Sequence, residues 1–432
     1  MTAAPGRIVV VGASLAGLRA AEELRYQGFA GVITVIGDEP HLPYDRPPLS
    51  KQVLAGEWPV ERIALAVATD GGLDALDLDW RLEARAVGLD PAAREVTLAG
   101  GDVVAYDGLV VATGATPREL PGTEPLAGVH TLRTLDDCLA LRQHLDAGAH
   151  QVVVVGAGFI GSEVAATCRT AGCEVTLLEA LPVPLARALG DEMGAVMGEL
   201  HRDHGVDLRL AVGVAGFEGD GRVERVRLAD GGAVEADLVV VGIGVTPNTA
   251  WLEGSGLALD DGVVCDATTL VGPGIVAAGD VARWPSHRFG ELMRVEHWDN
   301  AIAMGEHAAR RLLAEPAFSS GAPPDVTAPT HAASGGTASN PAPGLPAYDP
   351  VPWFWSDQYD RKIQLTGRSS QADEVAVVDG SPAERRFVAL YRRGDRLAGA
   401  LAMNRPRLLV TYRRLVEQGA SWDEALAAAA SA

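Results

Sequence analysis

The chain of 432 residues contains only four cysteines, and their spacing excludes two common kinds of site. There is no Cys-x-x-Cys motif, and no combination of cysteine and histidine has the spacing of a zinc site. We therefore predict no metal site, and we expect the thiols to pack as small apolar groups in a reducing compartment. The cysteines are Cys138, Cys168, Cys173 and Cys265.

Long apolar runs and an excess of positive charge are also absent. No stretch approaches the roughly 18 to 20 apolar residues that span a bilayer, and the first residues, MTAAPGRIVVVG, lack the regions of a secretory signal. The net charge is −21, which argues against a nucleic-acid partner. We expect a cytoplasmic protein with no membrane and no nucleic-acid partner.

Lysine and aromatic residues are scarce, and those present are concentrated. The two lysines are Lys51 and Lys362, and aromatic residues make up 5% of the chain. Four aromatic residues nevertheless fall in VPWFWSDQYD, residues 351–360. We interpret this as a turn-rich segment that either anchors a late domain or covers a planar cofactor. Between Arg361 and Arg414 there are 12 basic and 5 acidic residues, a local charge of +7.

A first βαβ unit is predicted over residues 7–39, RIVVVGASLAGLRAAEELRYQGFAGVITVIGDE. The strands Arg7–Val11 and Val32–Ile36 flank a glycine turn and a helix. In such a fingerprint the first glycine permits the tight turn, and the last lets the helix pack closely on the strand. Serine replaces the second glycine here, and an acidic residue follows the second strand as a candidate ribose acceptor. The turn residues and the acid are Gly12, Ser14, Gly17 and Asp38.

A second unit, QVVVVGAGFIGSEVAATCRTAGCEVTLLEA, spans residues 151–180 and has all three glycines. Its second strand, Glu174–Leu178, is followed by Glu179. A carboxylate there accepts hydrogen bonds from ribose hydroxyls and repels a 2′-phosphate, and residues 180–186 include no Arg or Lys. The sequence therefore predicts two bound dinucleotides, and NADH rather than NADPH at the second unit. Its glycines are Gly156, Gly158 and Gly161.

Five motifs, taken in this order, resemble the two-dinucleotide flavoprotein reductases of the glutathione-reductase fold. More narrowly, the chain resembles the oxygenase-coupled NADH-dependent ferredoxin reductases of the putidaredoxin-reductase type. The resemblance covers nearly the whole chain, apart from a Pro/Gly/Ala/Ser-rich stretch near residue 330. The motifs are PYDRPPLSK (43–51), GAGFIGSEVAA (156–166), AAGD (277–280), EHWDNA (296–301) and PWFWSDQY (352–359).

The resemblance implies an α/β fold with two Rossmann-like dinucleotide-binding domains, for FAD and NAD, and a C-terminal α+β domain. Segments 106–117 and 236–248 are expected to cross between the first two domains. The low apolar content of the Pro-rich stretch predicts a disordered linker. The expected domains are 1–116 with 247–315 for FAD, 117–246 for NAD, 316–346 for the linker and 347–432 for the C-terminal reductase domain.

The resemblance also implies roles for individual residues. Lys51 and Glu163 are expected to pair near flavin N5 and the nicotinamide, where they position the rings and transfer no proton. Trp355, together with Trp298, is expected on the flavin and nicotinamide side, with Asp357 and Gln358 at the ring edge or the docking partner. Residues expected to bind FAD are Gly12, Ser14, Leu15, Ala16, Gly17, Asp38, Arg46, Lys51, Arg133, Gly279, Asp280 and Trp298. Those expected to bind NAD are Gly156, Gly158, Phe159, Ile160, Gly161, Glu163, Glu179 and Gly244.

No cysteine precedes Cys138, which disfavours the thiol relays of disulfide reductases and NADH peroxidases. Reduced flavin is then expected to pass single electrons directly to a [2Fe–2S] ferredoxin. That ferredoxin would serve a monooxygenase or a ring-hydroxylating dioxygenase, and would dock on the Arg-rich region 361–414. This region could instead be a solvated basic face or pair with acidic groups of the same protein. The alternative functions are an NADH reductase of rubredoxin or another small acceptor, and a signalling flavoprotein like apoptosis-inducing-factor relatives.

Overall fold

The computed structural model describes residues 6–69, 71–121, 126–315, 318, 345–371 and 373–430. The chain divides into two compact units. Apart from residues 318, 345 and 346, the predicted linker at 316–346 lies outside the described residues. Unit 1 consists of Met1–Asp45, Ala64–Thr116 and Thr246–Pro350, and unit 2 of Arg46–Ile63, Pro117–Val245 and Val351–Ala432.

The helices are mostly short and amphipathic. None in the described part of the chain has the length and apolar character needed to cross a bilayer. Short 3-10 turns occupy Pro47–Ser50, Val60–Ile63, Gly72–Leu76, Ala250–Leu252, Gly279–Val281 and Pro382–Glu384. The α-helices are α1 (Leu15–Tyr26), α2 (Leu135–Asp146), α3 (Phe159–Thr170), α4 (Ala186–Asp203, interrupted at Gly190), α5 (Trp298–Leu313), α6 (Pro406–Glu417) and α7 (Trp422–Ala430).

The strands form several separate sheets. Up to the end of the second βαβ unit they are β1 (Arg7–Val11), β2 (Val32–Ile36), β3 (Leu78–Arg81), β4 (Ala86–Asp90), β5 (Glu95–Leu98), β6 (Val103–Ala105), β7 (Gly108–Val111), β8 (Ala115–Pro117), β9 (Val129–His130), β10 (Gln151–Val155) and β11 (Glu174–Glu179). The later strands are β12 (Asp207–Leu210), β13 (Val214–Glu218), β14 (Arg225–Leu228), β15 (Ala233–Glu235), β16 (Leu238–Val241), β17 (Val245–Pro247), β18 (Val263–Val264), β19 (Leu270–Gly272), β20 (Ile275–Ala277), β21 (Ala282–Ser286), β22 (Glu291–Met293), β23 (Trp353–Gln358), β24 (Arg361–Gly367), β25 (Glu374–Ser381), β26 (Arg386–Arg393) and β27 (Arg396–Met403).

Unit 1 is built on a six-stranded sheet in the order β19-β20-β7-β1-β2-β3. Strands β1, β2, β3, β7 and β20 are parallel, and β19 is antiparallel at one edge. The central strand is apolar from Ile8 to Val11, and Ile8, Val9 and Val10 are fully buried, as is usual for a parallel strand whose sheet is covered on both faces. The predicted strands Arg7–Val11 and Val32–Ile36 are confirmed.

Unit 2 contains a parallel sheet in the order β12-β11-β10-β16-β9. Its central strand β10 pairs with β11 and β16, and the four valines at 152–155 are buried. The second predicted βαβ unit is confirmed, with β11 one residue longer than expected because Glu179 still pairs with Leu210 on β12. Both glycine turns therefore lie at the carboxyl end of a central parallel strand.

The C-terminal part of unit 2 is a five-stranded antiparallel sheet in the order β23-β24-β27-β26-β25. Our interpretation of residues 351–360 as turn-rich is wrong, since Trp353–Gln358 is a strand paired in register with Arg361–Gly367. Aromatic residues favour strands, and successive residues of the segment point to opposite faces. Only Tyr359 and Asp360 form the turn, where Tyr359 has a φ of 55°.

The two compact units differ from the predicted domains in residues 46–63 and at two boundaries. Residues 46–63, which carry Arg46 and Lys51, group with unit 2 although they were expected in the first domain. Apart from Thr246 and residues 347–350, which fall in unit 1, the expected NAD domain and C-terminal domain fall in unit 2. The domain boundaries themselves stay a prediction.

Candidate functional site

The first glycine turn, in unit 1, has no room for side chains at its outer positions. Gly12 has a φ of 126°, and a Cβ there would lie 2.0 Å from the carbonyl oxygen of Ala112. A Cβ at Gly17 would lie 1.9 Å from the oxygen of Gly12. The chain therefore requires glycine at both positions for the tight turn and the close approach of α1.

The second glycine turn, in unit 2, repeats this geometry and leaves an open space at its middle. A Cβ at Gly156 would lie 2.4 Å from the oxygen of Gly242, and one at Gly161 would lie 2.0 Å from the oxygen of Gly156. At Gly158 the nearest atom would be 4.0 Å away. The middle glycine is therefore not required by the packing of the chain itself, which fits a ligand that approaches the backbone here.

The helices that begin at these turns have no side-chain cap. The N-cap residue of α1 is Ser14, whose side chain makes no capping hydrogen bond. The N-cap residue of α3 is Gly158, which has no side chain to make one. Helix α2, in contrast, has a complete capping box made by Thr134 and Asp137. An uncapped helix start presents N–H groups and a positive dipole end to an anion. The residues present therefore fit a dinucleotide pyrophosphate at each turn.

The acidic residue of the second unit is held by the backbone of its own turn. Glu179 Oε2 accepts from the N–H of Ala157 at 2.7 Å, and Oε1 accepts from the N–H of Leu181 at 2.8 Å. Each carboxylate oxygen can accept a further hydrogen bond, so the carboxylate is oriented and still able to bind hydroxyl groups. This arrangement fits the ribose role expected for Glu179.

The acidic residue of the first unit has a partner that the sequence did not reveal. Asp38 is exposed, and Arg85 Nη2 lies 2.9 Å from its Oδ2. The side-chain hydrogen bond and the charge of Asp38 raise the pKa of Arg85. Arg85 lies 47 residues from Asp38, and no motif marked it.

The remaining unit 1 residues of the predicted set lie at or beside the N-terminal ends of α1 and α5. A Cβ at Gly279 would lie 2.9 Å from the Cβ of Ala16, so the Gly279–Asp280 turn abuts the start of α1. Leu15 and Ala16 are buried in the first turn of that helix. Trp298 begins α5 and donates from Nε1 to Asp45 Oδ1 at 2.6 Å. Their roles in binding FAD stay predictions.

In unit 2, Arg46 and Arg133 are neighbours. Arg46 Nη1 donates to the carbonyl oxygen of Arg133 at 2.7 Å, and the N–H of Arg133 donates to Asp137 Oδ2 at 2.9 Å. The structure thus brings together two of the residues that the resemblance assigns to FAD. Those residues are divided between the two units: the glycine turn, Asp38, Asp280 and Trp298 belong to unit 1.

The ion pair expected between Lys51 and Glu163 is present in unit 2. Lys51 Nζ lies 2.7 Å from Glu163 Oε2, and the two side chains are 10% and 5% exposed. Ser50 donates to the same oxygen, and Ser356 donates to Oε1 at 2.8 Å. A buried carboxylate needs such partners, because an unpaired charge is costly to bury. Neither serine was predicted from the sequence, although Ser50 and Ser356 each lie within one of the five motifs.

The other predicted NAD residues lie around the start of α3. Phe159 packs edge-on against Phe354 with ring centroids 4.4 Å apart, and Phe354 is buried in the hydrophobic cluster of the C-terminal sheet. Ile160 is 45% exposed, a high value for an isoleucine beside a glycine turn. Gly244 has a φ of 104° with open space at its Cβ position. These exposed and open positions are compatible with a ligand at α3.

The aromatic strand β23 presents two different faces. Trp355 stacks on Trp353 with centroids 5.3 Å apart, and both are half-buried. Gln358 is fully buried on the opposite face, where its Nε2 donates to Ser356 Oγ at 3.1 Å. The expectation that Asp357 and Gln358 together meet a ring edge or a docking partner is therefore wrong for Gln358. Successive side chains of a strand point to opposite faces.

All four cysteines are free and buried. Burial raises the pKa of Cys138 and Cys168 to about 12, and it also raises the pKa of Cys173 and Cys265. Cys138 Sγ donates to the carbonyl oxygen of Leu49 at 3.1 Å. Thiols in this state are protonated near neutral pH and are poor nucleophiles.

Acidic side chains of unit 2 form ion pairs with many, but not all, of the basic residues in the Arg-rich region 361–414. Arg407 and Arg414 lie on α6 with the 57%-exposed Val410 between them. Residues seven apart share one face of a helix, and we call these three residues the α6 surface. Among the described residues, the ion pairs do not include Arg386, Arg407 or Arg414, which are exposed. Those that do form ion pairs are Arg361, Lys362, Arg385, Arg392, Arg393, Arg405 and Arg413.

Two known protein families match this chain. Residues 6–305 match the pyridine nucleotide-disulphide oxidoreductase family, and residues 353–432 match the reductase C-terminal family. The chain belongs to the pyridine nucleotide-disulphide oxidoreductase family, and its second match is the C-terminal domain of reductases. The predicted fold class, with two Rossmann-like dinucleotide-binding domains and a C-terminal α+β domain, is confirmed.

The similar proteins span nearly the whole chain. Rhodocoxin reductase of Rhodococcus erythropolis is 37% identical over 95% of this chain and 89% of that protein. The ferredoxin–NAD(+) reductase component of the p-cumate 2,3-dioxygenase system of Pseudomonas putida is 35% identical over 96% and 94%. The crystal structure of the covalent putidaredoxin reductase–putidaredoxin complex gives a TM-score of 0.84 at 32% identity, covering 96% of this chain and 94% of that one. The predicted resemblance to reductases of the putidaredoxin-reductase type is confirmed.

Proposed function

We propose that the chain is an FAD-dependent NADH:ferredoxin oxidoreductase that supplies single electrons to a [2Fe–2S] ferredoxin serving an oxygenase. The observation that carries this proposal is the match along 96% of the chain to a reductase whose name specifies ferredoxin, NAD(+) and a dioxygenase system. Both glycine turns and the C-terminal domain are present in this chain, so every part of such a reductase has its counterpart.

FAD, when bound, accepts two electrons together and releases them one at a time, which suits a one-electron iron–sulfur acceptor. Unit 1 supplies a closed glycine turn, the uncapped start of α1 and the acid Asp38. The Gly279–Asp280 turn lies against Ala16 at that helix start. These groups support an assignment of the FAD pyrophosphate and ribose to unit 1.

NADH is assigned to the second glycine turn in unit 2. The uncapped start of α3 and the open space at Gly158 support the pyrophosphate position. Glu179 supports the choice of cofactor, because its oriented carboxylate accepts ribose hydroxyls and repels a 2′-phosphate. No Arg or Lys at 180–186 offers a charge to a 2′-phosphate.

Glu163 and Lys51 hold the nicotinamide end of this cofactor in our proposal. Glu163 lies on α3, one helical turn beyond Phe159, so it shares the helix that receives the pyrophosphate. Hydrogen bonds from Lys51, Ser50 and Ser356 restrain the buried Glu163 carboxylate. Correct alignment of the reacting groups is the main contribution a protein makes to hydride transfer.

Electrons leave without a thiol relay in this proposal. The cysteines are buried thiols with raised pKa values, which does not suit a redox relay. We assign ferredoxin docking to the Arg-rich C-terminal region, and within it to the α6 surface, where exposed charge and an exposed apolar residue coincide. A cytoplasmic location belongs to the same proposal, because free thiols persist in a reducing compartment.

The stoichiometry of the reaction tests the proposal. Under anaerobic conditions, one NADH should reduce two [2Fe–2S] ferredoxins in the presence of catalytic amounts of the FAD-loaded protein. Reduction of rubredoxin but of no ferredoxin would support the rubredoxin alternative. A long-lived reduced complex with NAD⁺ and negligible turnover would support the signalling alternative instead.

A further inference from the structure

Helix α3 and strand β23, both in unit 2, meet along a matched row of side chains. Phe159 contacts Phe354 with ring centroids 4.4 Å apart, and Glu163 accepts from Ser356. Four residues of helix rise about 6 Å, and two residues of strand rise about 6.7 Å. The two contacts are therefore in register, so the aromatic pair fixes where the Ser356 hydroxyl meets the carboxylate.

The two oxygens of Glu163 have different partners. Oε2 accepts from Lys51 and Ser50, whereas Ser356 Oγ donates to Oε1 at 2.8 Å. Ser356 is fully buried, so water does not compete for this hydrogen bond. Among the described residues, Ser356 is the group shown donating to Oε1, and it sets the rotation of the carboxylate about its terminal bond.

A second hydrogen bond, from Gln358, orients the Ser356 hydroxyl. Gln358 Nε2 donates to Ser356 Oγ at 3.1 Å, and Gln358 is fully buried as well. A hydroxyl has one proton to donate, so accepting from Gln358 leaves that proton for Glu163. The donors run in one direction, from Gln358 through Ser356 to the carboxylate that binds Lys51.

We propose that Ser356 and Gln358 are positioning residues for the Lys51–Glu163 pair, so that the C-terminal sheet holds this pair in its working orientation. Neither residue touches a reacting atom; both act through the carboxylate. Their effect on turnover rests on the proposed function, whereas their effect on Lys51 is a property of the protein alone. The two effects can therefore be measured separately.

The scarcity of lysine provides the first test. Lys51 and Lys362 are the only two lysines of the chain, and Lys362, which is 50% exposed, serves as an internal reference for amine acylation. Initial acylation rates of the FAD-loaded protein, read by mass spectrometry, should rise about threefold to tenfold at Lys51 in Ser356→Ala. The rate at Lys362 should not change. Gln358→Leu should give a smaller rise at Lys51, and Ser356→Thr should restore the wild-type rate because it keeps the hydroxyl.

A matched control separates positioning from general loosening. Ser286 is another buried serine that donates to a carboxylate, that of Asp349 in unit 1. Ser286→Ala removes a similar hydrogen bond within unit 1 and should leave the Lys51 rate unchanged. Equal rises in Ser286→Ala and Ser356→Ala would overturn the proposal, as would a wild-type Lys51 rate in Ser356→Ala.

The second readout is anaerobic flavin reduction by NADH. Ser356→Ala should lower the limiting reduction rate about threefold to tenfold with little change in the NADH concentration that gives half the rate. A loss confined to NADH affinity would contradict positioning. If the wild-type protein is not reduced by NADH, the proposed function fails, and the acylation result still decides whether Ser356 orients the ion pair.

Discussion

Lys51 Nζ lies 2.7 Å from Glu163 Oε2, although 112 residues separate them in the sequence. Lys51 follows a short proline-containing turn, Pro47–Ser50, and Glu163 lies in the first half of α3. Both charges are nearly buried, so each depends on the other. Removing one partner of a buried pair typically costs about 3–5 kcal/mol of stability, because the remaining charge has no counterion.

Replacing Glu163 with alanine should slow flavin reduction by NADH about 10- to 100-fold, because the nicotinamide loses a group that aligns it. FAD retention should change less than the reduction rate, since Glu163 itself is assigned to the nicotinamide side. Rapid mixing under anaerobic conditions measures the first effect, and the flavin absorbance after desalting measures the second. Unchanged reduction kinetics would contradict the proposed role of Glu163 in aligning the nicotinamide.

Replacing Glu179 with alanine should raise the KM for NADH about 10- to 100-fold, because two hydrogen bonds to ribose hydroxyls are lost. The preference over NADPH should shrink by a similar factor, since the charge that repels a 2′-phosphate is also lost. Steady-state kinetics with both cofactors checks this. A variant that keeps the wild-type ratio of kcat/KM values would show that cofactor choice is made elsewhere.

Acid should destabilise the protein partly through His201. This side chain is fully buried, its Nδ1 lies 2.9 Å from Tyr359 Oη, and burial lowers its pKa from 6.5 to about 4. Between these values the unfolded chain binds a proton that the folded protein does not, so stability falls as the pH is lowered from 6.5 to 4. The loss from this group is on the order of 3 kcal/mol.

Denaturant unfolding of wild type and of His201→Gln across that pH range measures this contribution. The variant should lose less stability on acidification than wild type does, whatever the carboxylates contribute to both proteins. The neighbouring His204 stacks on Tyr359 and lies 4.0 Å from Asp360 Oδ1, so His204→Gln is the appropriate control. Parallel curves for wild type and His201→Gln would contradict the assignment.

Thiol reagents should have no effect on catalysis. The cysteines are buried, and the raised pKa of about 12 for Cys138 and Cys168 keeps these thiols protonated. Treatment with iodoacetamide at neutral pH should leave ferredoxin reduction unchanged, and so should Cys138→Ala. Rapid inactivation by the reagent would indicate a thiol in the electron path.

Raising the salt concentration should slow ferredoxin reduction and leave flavin reduction by NADH unchanged, because salt screens a charged docking surface. Reversing the charges of the α6 surface, with Arg407→Glu and Arg414→Glu together, should raise the KM for ferredoxin about 10-fold. Arg227→Glu, at an exposed residue of β14, is the matched control. Equal salt effects on both half-reactions would count against docking through charge.

The two βαβ units could be predicted from the sequence because all their signals lie close together in the chain. An apolar strand, a glycine turn and an acid at the end of the next strand are contiguous in the chain, and each has a strict steric or packing requirement. The strands Arg7–Val11 and Val32–Ile36 lie at the predicted residues. The resemblance also anticipated the pairing of Lys51 with Glu163.

The contacts that the sequence missed join distant segments. Arg85 beside Asp38, and Ser356 beside Glu163, carry no motif of their own, because their roles arise from tertiary packing. The misinterpretation of 351–360 has a related cause. Aromatic residues next to Ser and Asp suggested a turn, whereas the strand uses that alternation to present tryptophans on one face and Ser356 and Gln358 on the other.

Ferredoxin-dependent cytochrome c reduction tests the central claim most directly. The FAD-loaded protein, NADH and cytochrome c are combined with [2Fe–2S] ferredoxins and a rubredoxin, added one at a time. We predict a rate at least about 10-fold above the ferredoxin-free rate with at least one [2Fe–2S] ferredoxin, and a marked loss when NADPH replaces NADH. A rate that no ferredoxin increases, in a protein whose flavin NADH reduces readily, would contradict the account.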